Sequence, residues 1–156
     1  MIEKRAVRIA VCTTGMPNDE IEHVAEQVGM LIGRAKAILL TGGLFGGMEA
    51  AARGARAVGG TTIGVLPGVN PDDANDYIQI PLATGLGEAR NAVLVRCADA
   101  IIAIGGDWGT LSEIALAKKI GRPVILLNPS GAFTVNVPVA DSPDQAVHMA
   151  MAVLER

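Results

Sequence analysis

Short apolar runs alternate with segments of helical periodicity along most of this chain. The apolar runs are rich in Val, Ile, Leu and Ala and predict strands over residues 7–12, 37–40, 62–66, 77–80, 100–104 and 123–127. Segments whose apolar residues recur three and four positions apart predict helices over residues 18–34, 48–58, 86–98, 110–120 and 143–154. Pro17 is expected at the first helical position, where a backbone N–H is not needed.

The order of these elements predicts an α/β fold. Strands that alternate with helices pair in parallel, and the connecting helices cover both faces of the sheet. We therefore expect one domain over residues 1–156, a Rossmann-like three-layer sandwich with a mostly parallel central sheet of about six or seven strands. In such a sheet, ligands bind outside the carboxyl ends of the strands, where the strand order reverses.

The composition fits these layers and limits the function. Half of the residues are apolar but only 3% are aromatic, which favours small and branched side chains between closely packed layers. The net charge of −3 argues against binding of nucleic acid. Without a signal peptide or an apolar run of about 18 residues, the chain is expected to be cytoplasmic and free of membrane contact. Cys12 and Cys97 lack metal-ligand spacing, so we expect free thiols and no metal site.

Two glycine-rich segments follow predicted strands and lead into predicted helices. The first contains Gly42, Gly43, Gly46, Gly47 and Met48, and the second contains Gly105, Gly106, Asp107, Trp108, Gly109 and Thr110. Glycine lets a ligand approach the backbone, and the helix that follows offers unpaired N–H groups and the positive end of its dipole. Both segments therefore indicate a phosphate cradle, to which Thr13, Thr14 and Gly15 after the first strand are expected to contribute.

These glycines do not fit the dinucleotide-binding fingerprint. That fingerprint places Gly-x-Gly-x-x-Gly directly after the first strand and an acidic residue about twenty positions further on. Here the first strand is followed by segment 12–17, Cys-Thr-Thr-Gly-Met-Pro. Binding of NAD or FAD is therefore disfavoured.

Three motifs together carry a resemblance to a known family. Segment 41–48, Thr-Gly-Gly-Leu-Phe-Gly-Gly-Met, is similar to a Gly-Gly-Gly-x-x-Gly-Leu-Met loop, and segment 60–67 is similar to the third-strand signature of the same family. Segment 105–113 falls on the hallmark Pro-Gly-Gly-x-Gly-Thr-x-x-Glu. In these motifs the chain resembles the LOG, or lysine-decarboxylase-like, superfamily, and in particular its short prokaryotic branch of molybdenum-cofactor-carrier-like proteins.

The resemblance implies roles for Arg90 and Glu113. The phosphoribohydrolases of the superfamily carry a Met-x-x-Arg-Lys motif with a catalytic arginine, of which segment 87–91 keeps only the arginine. Gly105 replaces the hallmark proline, and Asp107 replaces its second glycine. A carboxylate beside a ribose can stabilise an oxocarbenium-like transition state or activate water, and an arginine can clamp a phosphate. Glu113 and Arg90 are therefore the candidate catalytic pair.

Simpler interpretations of this pair stay open. Thr110 and Glu113 also fit a Thr-x-x-Glu capping box, in which the two side chains hold the start of a helix without any ligand. Arg90 also fits a surface ion pair with Glu88 or Asp99.

The other candidates have alternatives as well. Thr13 and Thr14 either bind a phosphate or support the turn before Pro17. The glycines either contact a ligand or permit tight turns and close packing. Trp108 either covers a ligand or seals its loop against a neighbouring subunit.

Three functions from different classes remain. The first, favoured by the loss of the family's proline, methionine and lysine, is a carrier or sensor that binds a phosphate-bearing nucleotide or pterin-type cofactor between the glycine-rich segments. The second is hydrolysis of nucleoside 5′-monophosphates to base and ribose 5-phosphate. The third is an oligomeric structural protein that retains no ligand. Lysine decarboxylation is rejected, because pyridoxal phosphate needs a Schiff-base lysine and Lys36, Lys118 and Lys119 lie outside the predicted loops.

The expected partners follow from these functions. No cofactor is expected to be required; the expected ligand is a nucleoside monophosphate or a molybdopterin-type molecule, whose ring is distinguished by loops 68–76 and 129–136. Alanine-rich helices leave more apolar surface than one small domain covers, and the family resemblance also implies association. We therefore expect a homodimer or homotetramer.

Overall fold

The computed structural model describes residues 4–127 and 134–155, so part of loop 129–136 lies outside the described residues. The strands are β1 (Arg8–Cys12), β2 (Ile38–Thr41), β3 (Thr62–Leu66), β4 (Ile80–Ala83), β5 (Ala100–Ile104), β6 (Val124–Leu127) and β7 (Val139–Ala140). The helices are α1 (Asp19–Arg34), α2 (Gly47–Ala57), α3 (Arg90–Cys97), α4 (Trp108–Ile120) and α5 (Pro143–Ala152). Except at β4, β7 and α3, the predicted boundaries agree with these within the usual uncertainty of element ends.

The described strands form one parallel sheet in the order β4-β3-β2-β1-β5-β6-β7. This confirms the expected Rossmann-like architecture. The chain builds outward from β1 to β4 and then returns, so that β5 pairs with the free side of β1. The strand order therefore reverses between β1 and β5, and a ligand is expected beyond their carboxyl ends at Cys12 and Ile104.

The helices form two layers around the sheet. Helices α1, α2 and α5 share one apolar core with the sheet, and α3 and α4 share the other. Successive side chains of a strand point to opposite faces. Along β1, Ile9 and Val11 accordingly enter the first core, and Ala10 and Cys12 enter the second.

Small residues let α1 and α2 pack backbone against backbone. A Cβ atom added at Gly29 would lie 1.9 Å from the carbonyl oxygen of Ala51, and one added at Gly54 would lie 2.0 Å from that of Glu26. Such a contact leaves no room for a side chain. The low aromatic content of the chain is therefore matched by close packing of these two helices.

The fourth strand lies further along the chain than predicted. The sequence pattern placed it at 77–80, but β4 begins at Ile80. The Thr62 hydroxyl donates to the carbonyl of Tyr77 at 2.6 Å and accepts the N–H of Gln79 at 2.9 Å, which holds these residues in a turn instead of a strand. Pro81, which lacks an N–H donor, is tolerated because β4 is an edge strand.

Two predicted helix starts are also corrected. The segment 86–98 divides into a 3₁₀ turn, Gly87–Ala89, and helix α3. Pro17 is not the first helical residue, because Asn18 caps α1: its Oδ1 accepts the N–H of Ile21 at 3.0 Å. An asparagine oxygen satisfies an otherwise free N–H, so the cap fixes where α1 begins. The two-residue strand β7 was not predicted, because so short a segment carries no periodicity.

Some apolar surface remains uncovered at the edge of the sheet. Ile80 and Leu82 of β4 are exposed, and their pairing with Ile63 and Val65 places them on the face covered by α3 and α4. Homo-oligomerisation stays a prediction. Association of two copies would cover exposed apolar side chains of this kind. No helix within the described residues is long and apolar enough to cross a membrane.

Candidate functional site

A cavity of about 330 Å³ opens at the carboxyl edge of the sheet, beside the switch point between β1 and β5. Its walls are Thr13, Gly15, Leu44, Met48, Pro67, Gly87, Glu88, Arg90, Asn91, Asp107, Gly109 and Glu113. The two glycine-rich segments therefore meet at one cavity. Its size lies at the lower end of the range for small-molecule sites, roughly 300–1,000 Å³.

The first glycine-rich segment shapes the cavity mainly by supporting residues that line it. A Cβ atom at Gly42 would lie 2.5 Å from Nη1 of Arg90, and one at Gly47 would lie 2.5 Å from Cγ2 of Thr13. Glycine at these two positions lets both side chains pack directly against the backbone. The segment thus determines where Arg90 and Thr13 stand, and of its predicted residues only Met48 lines the cavity.

Arg90 is a buried cation at the start of α3. It is 8% exposed, and its Nη1 donates to Oδ1 of Asn91 at 3.0 Å. The amide of Asn91 in turn donates to the Ser112 hydroxyl at 3.1 Å, which joins α3 to α4. Burial lowers the pKa of Arg90, and the nearby Glu113 opposes that shift. Because a guanidinium stays protonated in proteins, Arg90 brings a full positive charge to the cavity wall.

Glu113 lies in the second turn of α4 and is 6% exposed. Burial raises its pKa from 4.5 to about 7; the Cys12 thiol and Arg90 oppose this shift and Asp107 adds to it. Burial likewise raises the pKa of Cys12 well above its usual value. Because this pKa lies near neutral pH, Glu113 is available both as a protonated donor and as an ionised acceptor of hydrogen bonds.

Three buried polar atoms on the cavity wall lack a hydrogen-bond partner among the described residues. They are Oγ1 of Thr13, Nε of Arg90 and Oε2 of Glu113. Each belongs to a side chain that is less than a tenth exposed. Buried polar groups are almost always hydrogen-bonded, because an unmet group costs about 1–3 kcal/mol. The lining of the cavity therefore carries three polar atoms whose hydrogen-bonding capacity is unmet within the described residues.

Asp107 holds the start of α4. Its Oδ1 accepts the N–H of Thr110 at 2.8 Å, which makes Asp107 the N-cap and places Thr110 three residues into the helix. The capping-box interpretation of Thr110 and Glu113 is therefore wrong, because neither residue occupies a cap position. Burial would raise the pKa of Asp107, but hydrogen bonds from Thr110, Thr14 and Gly109 lower it overall.

Replacing Asp107 by alanine is expected to cost about 1 kcal/mol of unfolding free energy, the usual effect of losing an N-cap. Serine can accept the same N–H, so the D107S variant is expected to stay within a few tenths of a kcal/mol of the unaltered protein. Urea denaturation monitored by circular dichroism measures both changes. Equal destabilisation by the two substitutions would contradict the capping role.

The structure brings only part of the predicted set to the cavity. Thr13, Gly15, Met48, Arg90, Asp107, Gly109 and Glu113 line it. Thr14, Gly42, Gly43, Gly46, Gly47, Gly105, Gly106, Trp108 and Thr110 do not. Thr14 instead accepts the N–H of Met16 at 3.0 Å, as the turn interpretation predicted. The Trp108 side chain is 85% exposed.

The surface ion-pair interpretation of Arg90 is wrong. Arg90 is buried, and among the described residues it forms no salt bridge. Asp99 lies at the opposite edge of the sheet, where it accepts hydrogen bonds from Arg5 and Arg8 and has its pKa lowered to about 2 by them against the effect of burial. Glu88 lines the cavity and exerts only a minor effect on Arg90.

Sequence reasoning missed several wall residues. Leu44, Pro67, Gly87, Glu88 and Asn91 line the cavity but were not proposed as site residues. Asn91 stands where the Met-x-x-Arg-Lys motif has its lysine. Its position next to the arginine was the available signal, because two adjacent helical side chains at the start of α3 both reach the β1–β5 edge.

A parallel α/β sheet whose glycine-rich segments meet at a cavity beside the reversal of strand order defines a Rossmann-like α/β protein. Residues 6–154 match the SLOG cluster4 family, and the chain belongs to this family. The resemblance inferred from the motifs is thereby confirmed.

Proteins of known structure and sequence support this placement. The molybdenum cofactor binding protein of Rippkaea orientalis is 38% identical, with a TM-score of 0.92 over 97% of this chain and 99% of that one. The molybdenum cofactor carrier protein of Chlamydomonas reinhardtii is 33% identical, with a TM-score of 0.86 over 97% of this chain and 100% of that one. Cytokinin riboside 5′-monophosphate phosphoribohydrolase of Mycobacterium tuberculosis is 30% identical over 78% of this chain and 70% of its own length.

Proposed function

We propose that this protein binds a phosphate-bearing nucleotide or pterin-type cofactor in the cavity and acts as its carrier or sensor. The observation that carries the proposal is the set of unpaired buried atoms of Thr13, Arg90 and Glu113, three residues that line the same cavity. A phosphate group offers several acceptor oxygens within a small volume. It would accept from the Thr13 hydroxyl and the Arg90 guanidinium, and from Glu113 when that group is protonated.

The acidic surroundings favour a single phosphate over a longer polyphosphate. Arg90 is the one cation among the described wall residues, while Glu88, Asp107 and Glu113 bring carboxyl groups. Only protonation of Glu113 lowers that negative charge near neutral pH. A monophosphate ester, which itself carries one to two charges, therefore fits the wall better than a triphosphate.

The names of similar proteins agree with this function. Two solved structures with similar folds are those of a molybdenum cofactor binding protein and a molybdenum cofactor carrier protein. Asn91 and Gly105, which stand where phosphoribohydrolases of the superfamily have lysine and proline, also favour binding over catalysis. We therefore extend cofactor binding to this chain, with the ligand as cargo and no resident cofactor required.

Phosphoribohydrolase activity is the second candidate. It is favoured by the presence of Arg90 and Glu113 on one wall and by the relative from Mycobacterium tuberculosis. In this reaction Arg90 would hold the 5′-phosphate. The Glu113 carboxylate would stabilise the positive charge that develops on the ribose as the N-glycosidic bond breaks, or would activate the attacking water.

One experiment separates the two functions. Purified protein is incubated with AMP or GMP, the bound nucleotide is quantified by calorimetry, and the mixture is analysed for free base by chromatography. Carrier function predicts saturable binding, intact nucleotide and retained binding by the E113Q variant, whose amide still offers a donor. Hydrolysis predicts base and ribose 5-phosphate in equal amounts, and no product from E113Q.

Native mass spectrometry of protein isolated from its own host provides an independent test. A co-purifying phosphorylated molecule that is lost from an R90Q variant supports the carrier function. If AMP, GMP and inorganic phosphate all fail to bind and nothing co-purifies, both functions are wrong and the oligomeric structural protein becomes the better interpretation.

A further inference from the structure

A second concavity, here called the acidic depression, adjoins the cavity proposed to bind the phosphate, which is called the phosphate cavity from here on. It measures about 680 Å³ and is lined by Leu44, Phe45, Glu49, Pro67, Gly68, Asp72, Asp73, Ala74, Asn75 and Asp76. Leu44 and Pro67 line both hollows. The two hollows therefore adjoin at these residues, and the first of them carries the unpaired atoms of Thr13, Arg90 and Glu113. A ligand anchored by its phosphate in the first hollow can therefore extend into the second.

Apart from the Asn75 amide, the polar side chains of the acidic depression offer acceptors only. Asp72, Asp73 and Asp76 are exposed and form no salt bridge among the described residues. The single amide on this wall is Asn75, and its Nδ2 already donates to the carbonyl of Leu44 at 2.6 Å. Across residues 4–127 and 134–155, no group of His, Cys, Asp or Glu side chains is placed to hold a metal ion. The depression is thus suited to a ligand group that donates hydrogen bonds.

Asn75 fixes the acidic segment to the first glycine-rich segment. Its backbone N–H donates to the carbonyl of Gly43 at 3.0 Å, and its Oδ1 accepts the N–H of Tyr77 at 3.0 Å. The side chain is 4% exposed. Because Gly43 and Leu44 belong to the loop that supports the phosphate cavity, these hydrogen bonds tie the backbone of the acidic segment to that loop.

The depression also provides an apolar surface for a flat ring. The Phe45 side chain is 56% exposed, although large aromatic side chains are seldom left so open. It stands beside Leu44 and Pro67 on the wall. The Asp73 carboxylate lies over Gly68, directly after Pro67: a Cβ atom at Gly68 would be 3.2 Å from its Oδ2. An aromatic side chain and a carboxylate therefore line the depression close to the residues that it shares with the phosphate cavity.

We propose that the acidic depression binds the ring of the ligand and selects rings with an N–H and an amino group side by side, as on the 2-amino-4-oxopyrimidine edge shared by guanine and pterins. Asp73 is the specificity-determining residue, and Phe45 stacks on the ring. A carboxylate accepts two parallel hydrogen bonds from that edge. Adenine presents one donor beside a ring nitrogen that is an acceptor. The lone pair of that nitrogen and the carboxylate repel each other. This inference rests on the proposed function and names the ligand class.

Calorimetric titration with GMP, IMP, AMP and inorganic phosphate tests the proposal. GMP is expected to bind about tenfold more tightly than AMP, because a site built to pair with donors discriminates against a ring that lacks them. IMP keeps the N–H but lacks the amino group, and it is expected to fall between the two. The D73N variant is expected to lose most of the preference for GMP over AMP.

The matched control is D19N, because Asp19 is an exposed aspartate in the first turn of α1 and lines neither hollow. It removes the same charge and is expected to leave the GMP-to-AMP ratio unchanged. The Asp73 side chain is exposed, so D73N is expected to fold, and thermal unfolding checks this.

The outcomes distinguish the two proposals. Equal binding of GMP and AMP, or a ratio that D73N leaves unaltered, would overturn the ring selectivity while the proposed function stands. Failure of all four probes to bind would overturn the proposed function and this inference with it. A preference for GMP that is lost in D73N and kept in D19N supports both.

Discussion

Replacing Arg90 by glutamine is expected to weaken the binding of GMP or AMP by about 100-fold, because removing one member of a buried charge pair costs roughly 2–5 kcal/mol. The phosphate would lose the one cation among the described wall residues and face Glu88 and Asp107 without compensation. Calorimetric titration of R90Q beside the unaltered protein measures the change.

Two further variants test the reason for this loss. R90K keeps the charge but not the forked donor geometry and is expected to lose about tenfold in affinity. R96Q removes an exposed arginine from the last turn of the same helix, and its affinity is expected to stay within about twofold. Burial disfavours the charged form of Arg90, and glutamine carries no charge, so R90Q is expected to remain folded. Unchanged binding by R90Q would contradict the proposed phosphate site.

Replacing Glu113 by glutamine is expected to raise the free energy of unfolding at pH 8 by about 3 kcal/mol relative to the unaltered protein, and to change it little at pH 4.5. Burial raises the pKa of Glu113 from 4.5 to about 7. Between these values the unfolded chain has lost the proton that the folded protein keeps, so stability falls as the pH rises through this window. Glutamine cannot ionise and avoids that loss.

Urea denaturation at pH 4.5, 6 and 8 measures this effect. The groups that act on Glu113 are Cys12, Arg90 and Asp107, and all are present in both proteins. D76N, which replaces an exposed aspartate, serves as the control and is expected to shift stability by under about 0.5 kcal/mol at each pH. A difference between E113Q and the unaltered protein that stays constant with pH would show that Glu113 does not carry a raised pKa.

The element pattern of the fold was predictable because periodicity reports burial directly. Val11 and Ile102 pair at the centre of the sheet, and both lie in apolar runs that the sequence marks as strands. Local side-chain chemistry was harder to foresee. Whether Thr62 would bond to Tyr77 and Gln79 and delay β4 depended on two segments meeting, which no window of sequence contains.

The candidate site was likewise predictable in part: its motif residues followed from the sequence, and its side-chain contacts did not. The positions of Arg90 and Glu113 followed from motifs, and the structure places both on one cavity wall. The capping role of Asp107 was missed because the Thr110-x-x-Glu113 pattern also fits a helix start, and only the position at which α4 begins distinguishes the two. Gly42 was predicted to contact the ligand, but in the structure it leaves room for the Arg90 side chain. Only the packing of the folded chain reveals that contact.

By itself the sequence determined a parallel α/β sheet, the edge at which its glycine-rich segments end, and the family to which the chain belongs. These properties depend on the repetition of apolar residues and on short contiguous motifs. The tertiary structure alone decided that Arg90 is buried, that Glu113 is driven toward neutrality and that the acidic segment is fixed to the glycine loop by Asn75. Burial and charge at a point depend on every segment that packs around it, and the chain brings those segments together only when it folds.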